Sequence, residues 1–270
     1  MGKRSKVMTF DKIRKGQCNY KVIIDLKSLL DKERLEEFRK NFDEMKKNKD
    51  FNKICKFNRE KLEYTSETLL PSSENIDDNK TKVLFILGNP ATHSIINKMF
   101  YYSQTNEKKR HGFWKKLYNG GLLDSELEIR KLTEHCTNDK TEILKIEACK
   151  RREYILSGNT SNHFVLGLTT FYSLPTPVGK NVKAVEDLFK GTTNNEKLLN
   201  QIRKEELKRI QSYNFATNAI WVFTQGSSYR FVRNTEEKCL ESLLYWPMFE
   251  RSNKSSGEYL KKMLKNREKA

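Results

Sequence analysis

The chain has 270 residues and a formal net charge of +17, and 36% of its residues are hydrophobic. This length is enough for one sizeable hydrophobic core, and the basic excess indicates an anionic partner: nucleic acid, an anionic membrane surface or an acidic protein. No apolar run approaches the roughly 18–20 residues of a membrane span, and the basic N-terminus lacks the apolar stretch of a secretion signal, so we expect neither.

Residues 1–80 are predicted to form a basic arm, an amphipathic helix and a polar linker. Apolar residues recur at helical spacing between Leu26 and Met45, with Lys and Glu on the other faces. This spacing indicates one amphipathic helix, whose apolar stripe is expected to pack on the rest of the chain. A module that binds another protein through this helix is the alternative. The stretch 71–79 begins with Pro71 and is rich in Ser, Asn and Asp, which is typical of a polar linker.

Four apolar runs follow, each bounded by turn-forming residues, at 83–87, 163–170, 219–224 and 243–246. Such runs are typical of strands that are buried on both faces of a parallel sheet. Helical spacing predicts helices at 113–122, 182–189, 196–210 and 255–266. The alternation predicts an α/β fold: a three-layer α/β/α sandwich with a central four-stranded, mostly parallel sheet, plus an N-terminal helical extension.

The segments that directly follow the four strands are rich in small, polar and Pro residues. In open parallel sheets, ligands bind outside the carboxyl ends of the strands. We therefore expect the functional site at this edge of the sheet, formed by residues 88–94, 169–177, 224–228 and 246–253.

The five cysteines are scattered along the chain and form no Cys-x-x-Cys pair. Such spacing argues against a disulfide framework, a zinc site and an iron–sulfur cluster. It is typical of a reducing compartment, so we expect a cytoplasmic protein, or a nuclear one in a eukaryote.

The first strand is followed by Gly88-Asn89-Pro90, then Ser94, the aromatic pair Phe100-Tyr101, and the pair Phe113-Trp114 at the start of a predicted helix. This series resembles the first motif and the following helix of mismatch-specific uracil-DNA glycosylases and their thymine-DNA relatives. The second strand, read from Gly167 to Thr176, is similar to the corresponding strand of that family without gaps. The resemblance covers roughly residues 81–268.

Two departures from the family pattern stand out. Ala91 occupies the position of the Gly that follows Asn-Pro, and Trp246-Pro247-Met248 replaces the His-Pro-Ser or Asn-Pro-Ser of the fourth strand end. Members with the His use it to stabilise the departing base anion, although the mismatch-specific branch also lacks it. Both departures motivate the alternative of a catalytically inactive nucleic-acid-binding member.

The resemblance implies that residues 81–270 form a domain of the uracil-DNA glycosylase superfamily. Such a protein acts in DNA base-excision repair: it flips a deaminated or mismatched base of the uracil type and hydrolyses its N-glycosidic bond, without a metal ion or other cofactor. DNA is the expected partner, and a monomer that does not bind membranes is expected. A nucleotide-processing hydrolase is the remaining alternative, but the sequence contains no P-loop, GxGxxG, GxSxG or HExxH motif to support it.

The resemblance also implies roles for individual residues. Asn89 is the catalytic candidate, because this position holds the attacking water in the family; the Asn-Pro dipeptide alone would favour an Asx turn, and the surrounding series favours the catalytic role. The base-binding candidates are Gly88, Pro90, Phe100, Tyr101, Thr170 and Trp246. The DNA-binding candidates are His93, Ser94, Lys108, Lys109, Arg110, Arg251, Ser252, Asn253 and Lys254. Arg251 is the residue expected to enter the duplex, and solvated loops are the alternative for the basic residues.

Overall fold

The computed structural model describes residues 7–11, 18–104, 109–192, 195–235, 242–250 and 252–268. Within these residues the chain forms two four-stranded sheets, one antiparallel and one parallel. The parallel sheet has helices on both of its faces, so the predicted α/β class is confirmed. None of the described helices is both long enough and apolar enough to cross a membrane.

The antiparallel sheet is formed by the N-terminal part of the chain. Its strands are β1 (Met8–Phe10), β2 (Asn19–Asp25), β3 (Cys55–Asn58) and β4 (Lys61–Glu67), in the order β1-β2-β4-β3. Two helices, α1 (Lys32–Lys46) and α2 (Lys49–Ile54), connect β2 to β3. In β2 the side chains of Tyr20, Val22 and Ile24 are buried at every second position, as expected for a strand with one face on a core.

This sheet corrects the sequence-based prediction for residues 1–80. The predicted amphipathic helix exists as α1, but the N-terminal extension is not purely helical, because four strands share it. Strands β3 and β4 are joined by Arg59 and Glu60, which have φ values of 47° and 74°. Two successive residues with positive φ form the tight hairpin turn that suits the twist of antiparallel strands.

The parallel sheet contains the four predicted strands. They are β5 (Thr81–Leu87), β6 (Phe164–Thr170), β7 (Ile220–Phe223) and β8 (Leu243–Tyr245), in the order β6-β5-β7-β8. Each neighbouring pair is parallel. The central position of β5 therefore places the segment that begins at Gly88 between the segments that follow β6 and β7.

Each face of the parallel sheet is covered by a separate hydrophobic cluster. On one face, Leu84 and Ile86 of β5 pack with the N-terminal sheet and with α7 (Val182–Lys190) and α8 (Glu196–Gln211). On the other face, Val83, Phe85 and Leu87 pack with helices α4, α6 and α10. These helices span Gly112–Asn119, Lys140–Leu156 and Asn253–Glu268. The remaining helices are α3 (Thr92–Ile96), α5 (Glu126–Cys136) and α9 (Gly226–Thr235).

The end of β4 is attached to the edge strand β6. Leu69 and Leu168 exchange two backbone hydrogen bonds of 2.8 Å each, and the Thr68 hydroxyl donates to the Leu168 carbonyl at 3.1 Å. The Tyr64 hydroxyl lies 2.7 Å from Ser173 Oγ in the segment after β6. These bonds bring the end of the N-terminal sheet to the carboxyl edge of the parallel sheet.

Candidate functional site

A cavity of about 460 Å³ lies at the carboxyl edge of the parallel sheet. This volume falls within the range of small-ligand sites in proteins. The lining comes from the segments after β5 and β6, from residues 100–104 and from the end of β4. Six of the predicted site residues line it: Asn89, Pro90, His93, Ser94, Phe100 and Tyr101.

Asn89 follows directly after β5, and its side-chain amide is held in one orientation. Its Nδ2 donates to Thr176 Oγ1 at 2.8 Å and to the Pro90 carbonyl at 3.2 Å. Because a carbonyl oxygen can only accept, the atom of Asn89 that faces Pro90 must be the nitrogen. No described residue donates a hydrogen bond to Asn89 Oδ1. This side chain therefore offers an acceptor to a molecule bound in the cavity.

The segments after β5 and β6 are joined by backbone hydrogen bonds. Thr176 N donates to the Pro90 carbonyl at 3.0 Å, and Thr92 N donates to the Thr176 carbonyl at 3.1 Å. Ala91 and Thr176 form an isolated parallel bridge between these bonds. Thr176, which the sequence analysis did not single out, thus fixes both the backbone and the side chain of the Asn89 segment.

Phe100, Tyr101 and His111 line the cavity with aromatic rings, which we call the aromatic wall. Tyr101 has a φ of 47°, in the left-handed region that non-glycine residues rarely adopt. Trp114 Nε1 donates to the Tyr101 carbonyl at 3.1 Å and stabilises this conformation. The Tyr101 ring stacks on His111 with 4.2 Å between the ring centroids and packs on Phe113 at 4.5 Å. Strained residues held by their surroundings are frequent at functional sites.

Two histidines that line the cavity are held in the neutral form. His111 Nδ1 accepts from Phe113 N at 3.1 Å, which leaves the ring proton on Nε2. Burial, together with the nearby Lys116 and His93, lowers the pKa of His111 to about 4. His93 Nε2 lies 3.4 Å from the Ser103 carbonyl, and burial lowers the pKa of His93 as well. At neutral pH the cavity thus contains neutral imidazoles.

Glu67, the last residue of β4, also lines the cavity. Its side chain is buried, with 1% of its surface exposed, and neither carboxylate oxygen has a hydrogen-bond partner among the described residues. Burial raises the pKa of Glu67 well above its ordinary value. The sequence analysis missed this residue because no short motif surrounds it. Its distinguishing feature, a charged residue between the buried Ser66 and Thr68 at the end of a strand, is visible only in the structure.

Three predicted base-binding residues lie outside the cavity lining. Gly88 packs against α7, where an added Cβ would come within 2.4 Å of Val182 Cγ2. Thr170 is fully buried at the end of β6, and its hydroxyl has no described partner. Trp246 is fully buried and donates from Nε1 to the Ser256 carbonyl at 3.1 Å. The structure therefore places these three residues in the packing around the site.

Besides His93 and Ser94 of the cavity lining, the predicted DNA-binding residues within the described part of the chain fall into two groups. Lys109 and Arg110 line a second cavity, and Arg110 forms ion pairs with Glu134 at 2.8 Å and with the buried Glu147 at 2.7 Å. Two carboxylates thus already accompany this guanidinium. Ser252, Asn253 and Lys254 are exposed at the start of α10. Lys108 and Arg251 lie outside the described residues.

The start of α10 lies beside the start of α4. A side chain at Gly112 would come within 2.9 Å of Asn253 Oδ1, and Gly112 directly follows the cavity residue His111. The exposed polar residues of α10 are therefore close to the cavity rim.

Phe249 is a further residue that the sequence analysis missed. It lies in the segment between β8 and α10, and 62% of its side chain is exposed. The Lys116 ammonium lies 5.7 Å from the centre of its ring and also donates to the Met248 carbonyl. An exposed aromatic ring beside the start of α10 provides a surface for stacking.

No group of three or more His, Cys, Asp or Glu side chains that could hold a metal ion occurs in the part of the chain that the structure describes. Comparisons of the chain with protein-family models, with curated proteins and with solved structures found no match.

Proposed function

We propose that this protein is a monofunctional DNA glycosylase of the uracil-DNA glycosylase type, which flips a deaminated or mismatched base out of DNA and hydrolyses its N-glycosidic bond. The observation that carries the proposal is the fixed amide of Asn89 at the carboxyl end of the central strand. Its Nδ2 is engaged by Thr176 and Pro90, so its Oδ1 is the acceptor available in the cavity. As part of this proposal, the parallel sheet and the helices on its two faces form the three-layer α/β/α sandwich expected for such an enzyme.

Cleavage of an N-glycosidic bond makes three demands on the protein. The base must leave the stack, which costs a few kcal/mol and favours mispaired or damaged bases. A water molecule must be directed at the sugar, and the departing negative charge must meet hydrogen-bond donors. In our proposal Asn89 Oδ1 holds the water, and the neutral His111 offers Nε2–H as a donor in the same cavity.

The flipped base would lie against the aromatic wall. Phe100 is buried and Tyr101 is half-buried, and both line the cavity. Aromatic faces bind any nucleobase by stacking, so these residues hold the base while other groups select it. Tyr101 is suited to hold the base because Trp114 donates to its carbonyl and keeps its backbone in the left-handed conformation.

The net charge of +17 supports DNA as the partner, because Lys and Arg side chains that neutralise phosphates give salt-dependent affinity. We propose that Ser252, Asn253 and Lys254 contact the backbone, since they are exposed next to the cavity rim. In this arrangement Phe249 enters the space that the flipped base vacates.

The second candidate function is a catalytically inactive member that binds nucleic acid. The burial of Trp246 favours it, because the fourth strand end supplies no polar side chain to the cavity at that position. This candidate retains the basic surface and the aromatic wall but does not cleave.

A cleavage assay separates the two candidates. Labelled oligonucleotides that carry uracil, hypoxanthine, xanthine or a G·T mismatch are incubated with the protein and then treated with alkali, which breaks the strand at an abasic site. We expect wild-type cleavage at a lesion, strong loss in Asn89→Ala, and no loss in Asn79→Ala, a matched change at an exposed position. Salt-dependent DNA binding without cleavage of any lesion would favour the inactive member.

A further inference from the structure

We propose that Glu67, in its carboxylic acid form, reads the hydrogen-bonding edge of the flipped base by donating one hydrogen bond and accepting another. The inference rests on the proposed function and deepens it by naming a base-recognition residue and the chemical class of the base. It also assigns part of the site to the N-terminal sheet, whose last strand ends at Glu67.

The first argument compares Glu67 with the other buried carboxylates. Among the described residues, Glu126 and Glu147 pair with the buried Arg151, and Glu206 pairs with the buried Arg209. Buried carboxylates normally have such partners, because an isolated buried charge is very costly. Glu67 is as deeply buried and has neither a cation nor a hydrogen bond among the described residues. An ion pair with another described residue therefore does not explain why Glu67 is buried.

The second argument is the position of Glu67. The paired backbones of Leu69 and Leu168 fix the chain only two residues beyond it. Glu67 lines the same cavity as Asn89 and Tyr101. A polar group that is rigidly held, unpartnered and part of a cavity wall is suited to bind a polar ligand.

The third argument concerns the charge state of Glu67. Burial raises the pKa of this carboxyl well above its ordinary value and so favours the protonated form, which is the form that the proposal requires. A protonated carboxyl has one donor, its O–H, and one acceptor, its C=O. This pair complements a base edge on which a ring N–H lies next to a carbonyl oxygen. Uracil, hypoxanthine and xanthine all present that edge, and all are products of deamination.

Two variants test the assignment. Glu67→Gln preserves one donor and one acceptor at nearly the same positions, whereas Glu67→Met removes both and retains a similar volume. The intact protein is used throughout, and thermal melting of each variant establishes that it is folded. A carboxylate that acted as an ionised base would lose its function in Glu67→Gln, so this pair separates recognition from base catalysis.

The binding probes are two oligonucleotide duplexes. One carries 2′-fluoro-2′-deoxyuridine, which resists glycosidic cleavage, and the other carries a tetrahydrofuran abasic analogue, which has no base to recognise. For the fluorinated duplex we expect Glu67→Met to lose about tenfold in affinity and Glu67→Gln to lose no more than about threefold. Neither variant should change affinity for the abasic duplex.

The outcomes separate this inference from the proposed function. If the wild type cleaves no lesion but binds the fluorinated duplex in a manner that depends on Glu67, then the glycosylase proposal fails and the recognition role stands. If the folded Glu67→Met variant binds both duplexes and cleaves like the wild type, or if Glu67→Gln is as impaired as Glu67→Met, the recognition role is overturned. Equal affinity of the wild type for both duplexes would also overturn it.

Discussion

The side-chain nitrogen of Asn89 lies 2.8 Å from the hydroxyl oxygen of Thr176, which is 87 positions further along the chain. This bond links the segment after β5 to the segment after β6. Together with the bond from the same nitrogen to the Pro90 carbonyl, it leaves Asn89 Oδ1 available in the cavity, so Thr176 is a positioning residue for the proposed chemistry.

Replacing Thr176 by Val should therefore impair cleavage without unfolding the protein. Valine has nearly the same shape as threonine but cannot accept the hydrogen bond, so Asn89 would lose its main anchor while the backbone bonds of residue 176 remain. We expect a fall on the order of 10–100-fold in the single-turnover excision rate. Thr176→Ser retains the hydroxyl and should stay close to wild type. A Thr176→Val enzyme with the full excision rate would contradict the positioning role.

His111 should make the folded protein more stable as the pH rises. Its pKa is about 4 in the folded state, because burial disfavours the imidazolium, whereas an ordinary histidine has a pKa of 6.5. Between these values the unfolded chain binds the proton and the folded chain does not. The free energy of unfolding therefore increases with pH across this window, and the contribution is complete above pH ~6.5.

The variant His111→Asn tests this effect. Asparagine can still accept from Phe113 N at the start of α4, but it does not titrate. Urea unfolding between pH 4 and 8 should differ from the wild type by the loss of the increase that His111 contributes, while His93 and Glu67 still contribute to the pH dependence, with opposite signs. His111→Ala should lose about 1 kcal/mol more at every pH, since it also removes the helix cap. An unchanged pH dependence in His111→Asn would refute the prediction.

Glu67 should have the opposite effect on stability. Burial raises the pKa of Glu67 well above its ordinary value in the folded state, whereas the unfolded chain releases the proton above pH ~4.5. Between the two pKa values the folded state binds more protons, so this residue lowers the free energy of unfolding as the pH rises, by at most about 1.4 kcal/mol per pH unit. Glu67→Gln should therefore be more stable than the wild type at pH 8, and the difference should shrink toward pH 5. Equal stability of the two proteins at both pH values would show that Glu67 does not stay protonated.

Phe249 should contribute to DNA binding and not to folding. Because 62% of its side chain is exposed, Phe249→Ala should change the free energy of unfolding by less than about 1 kcal/mol. If the ring enters the duplex, affinity for a lesion-containing duplex should fall about 10-fold. Leu132→Ala is the matched control, because Leu132 is 50% exposed on α5. Equal effects of the two changes on DNA binding would rule out a specific role.

The parallel sheet could be predicted because each strand carries a continuous apolar run, and all four runs form strands. The N-terminal sheet was missed for a physical reason. Its strands are half-buried and alternate apolar with charged residues, and its hairpin turns at Arg59-Glu60, where the sequence has no Asn or Gly to indicate positive φ. Helices α2, α3, α5, α6 and α9 were also missed.

Part of the candidate site could be predicted: the cavity residues that lie close together in the sequence. Asn89, Phe100 and Tyr101 belong to one continuous segment, so their order in the sequence was enough to place them together. Glu67 reaches the cavity, and Thr176 reaches Asn89, through pairing between distant segments, which no local sequence pattern predicts. Trp246 was misplaced, because a position after a strand does not indicate whether the side chain faces the core.

The bridge between Leu69 and Leu168 has a consequence for how the protein behaves when it is shortened. β6 is at the edge of the parallel sheet, and this bridge occupies backbone groups on its outer side. An exposed edge of an apolar strand is a template for pairing with other chains. Removing residues 1–70 would therefore expose the edge of β6 and should lead to aggregation. In the intact protein, the segment that follows the N-terminal sheet covers this edge and opposes self-association.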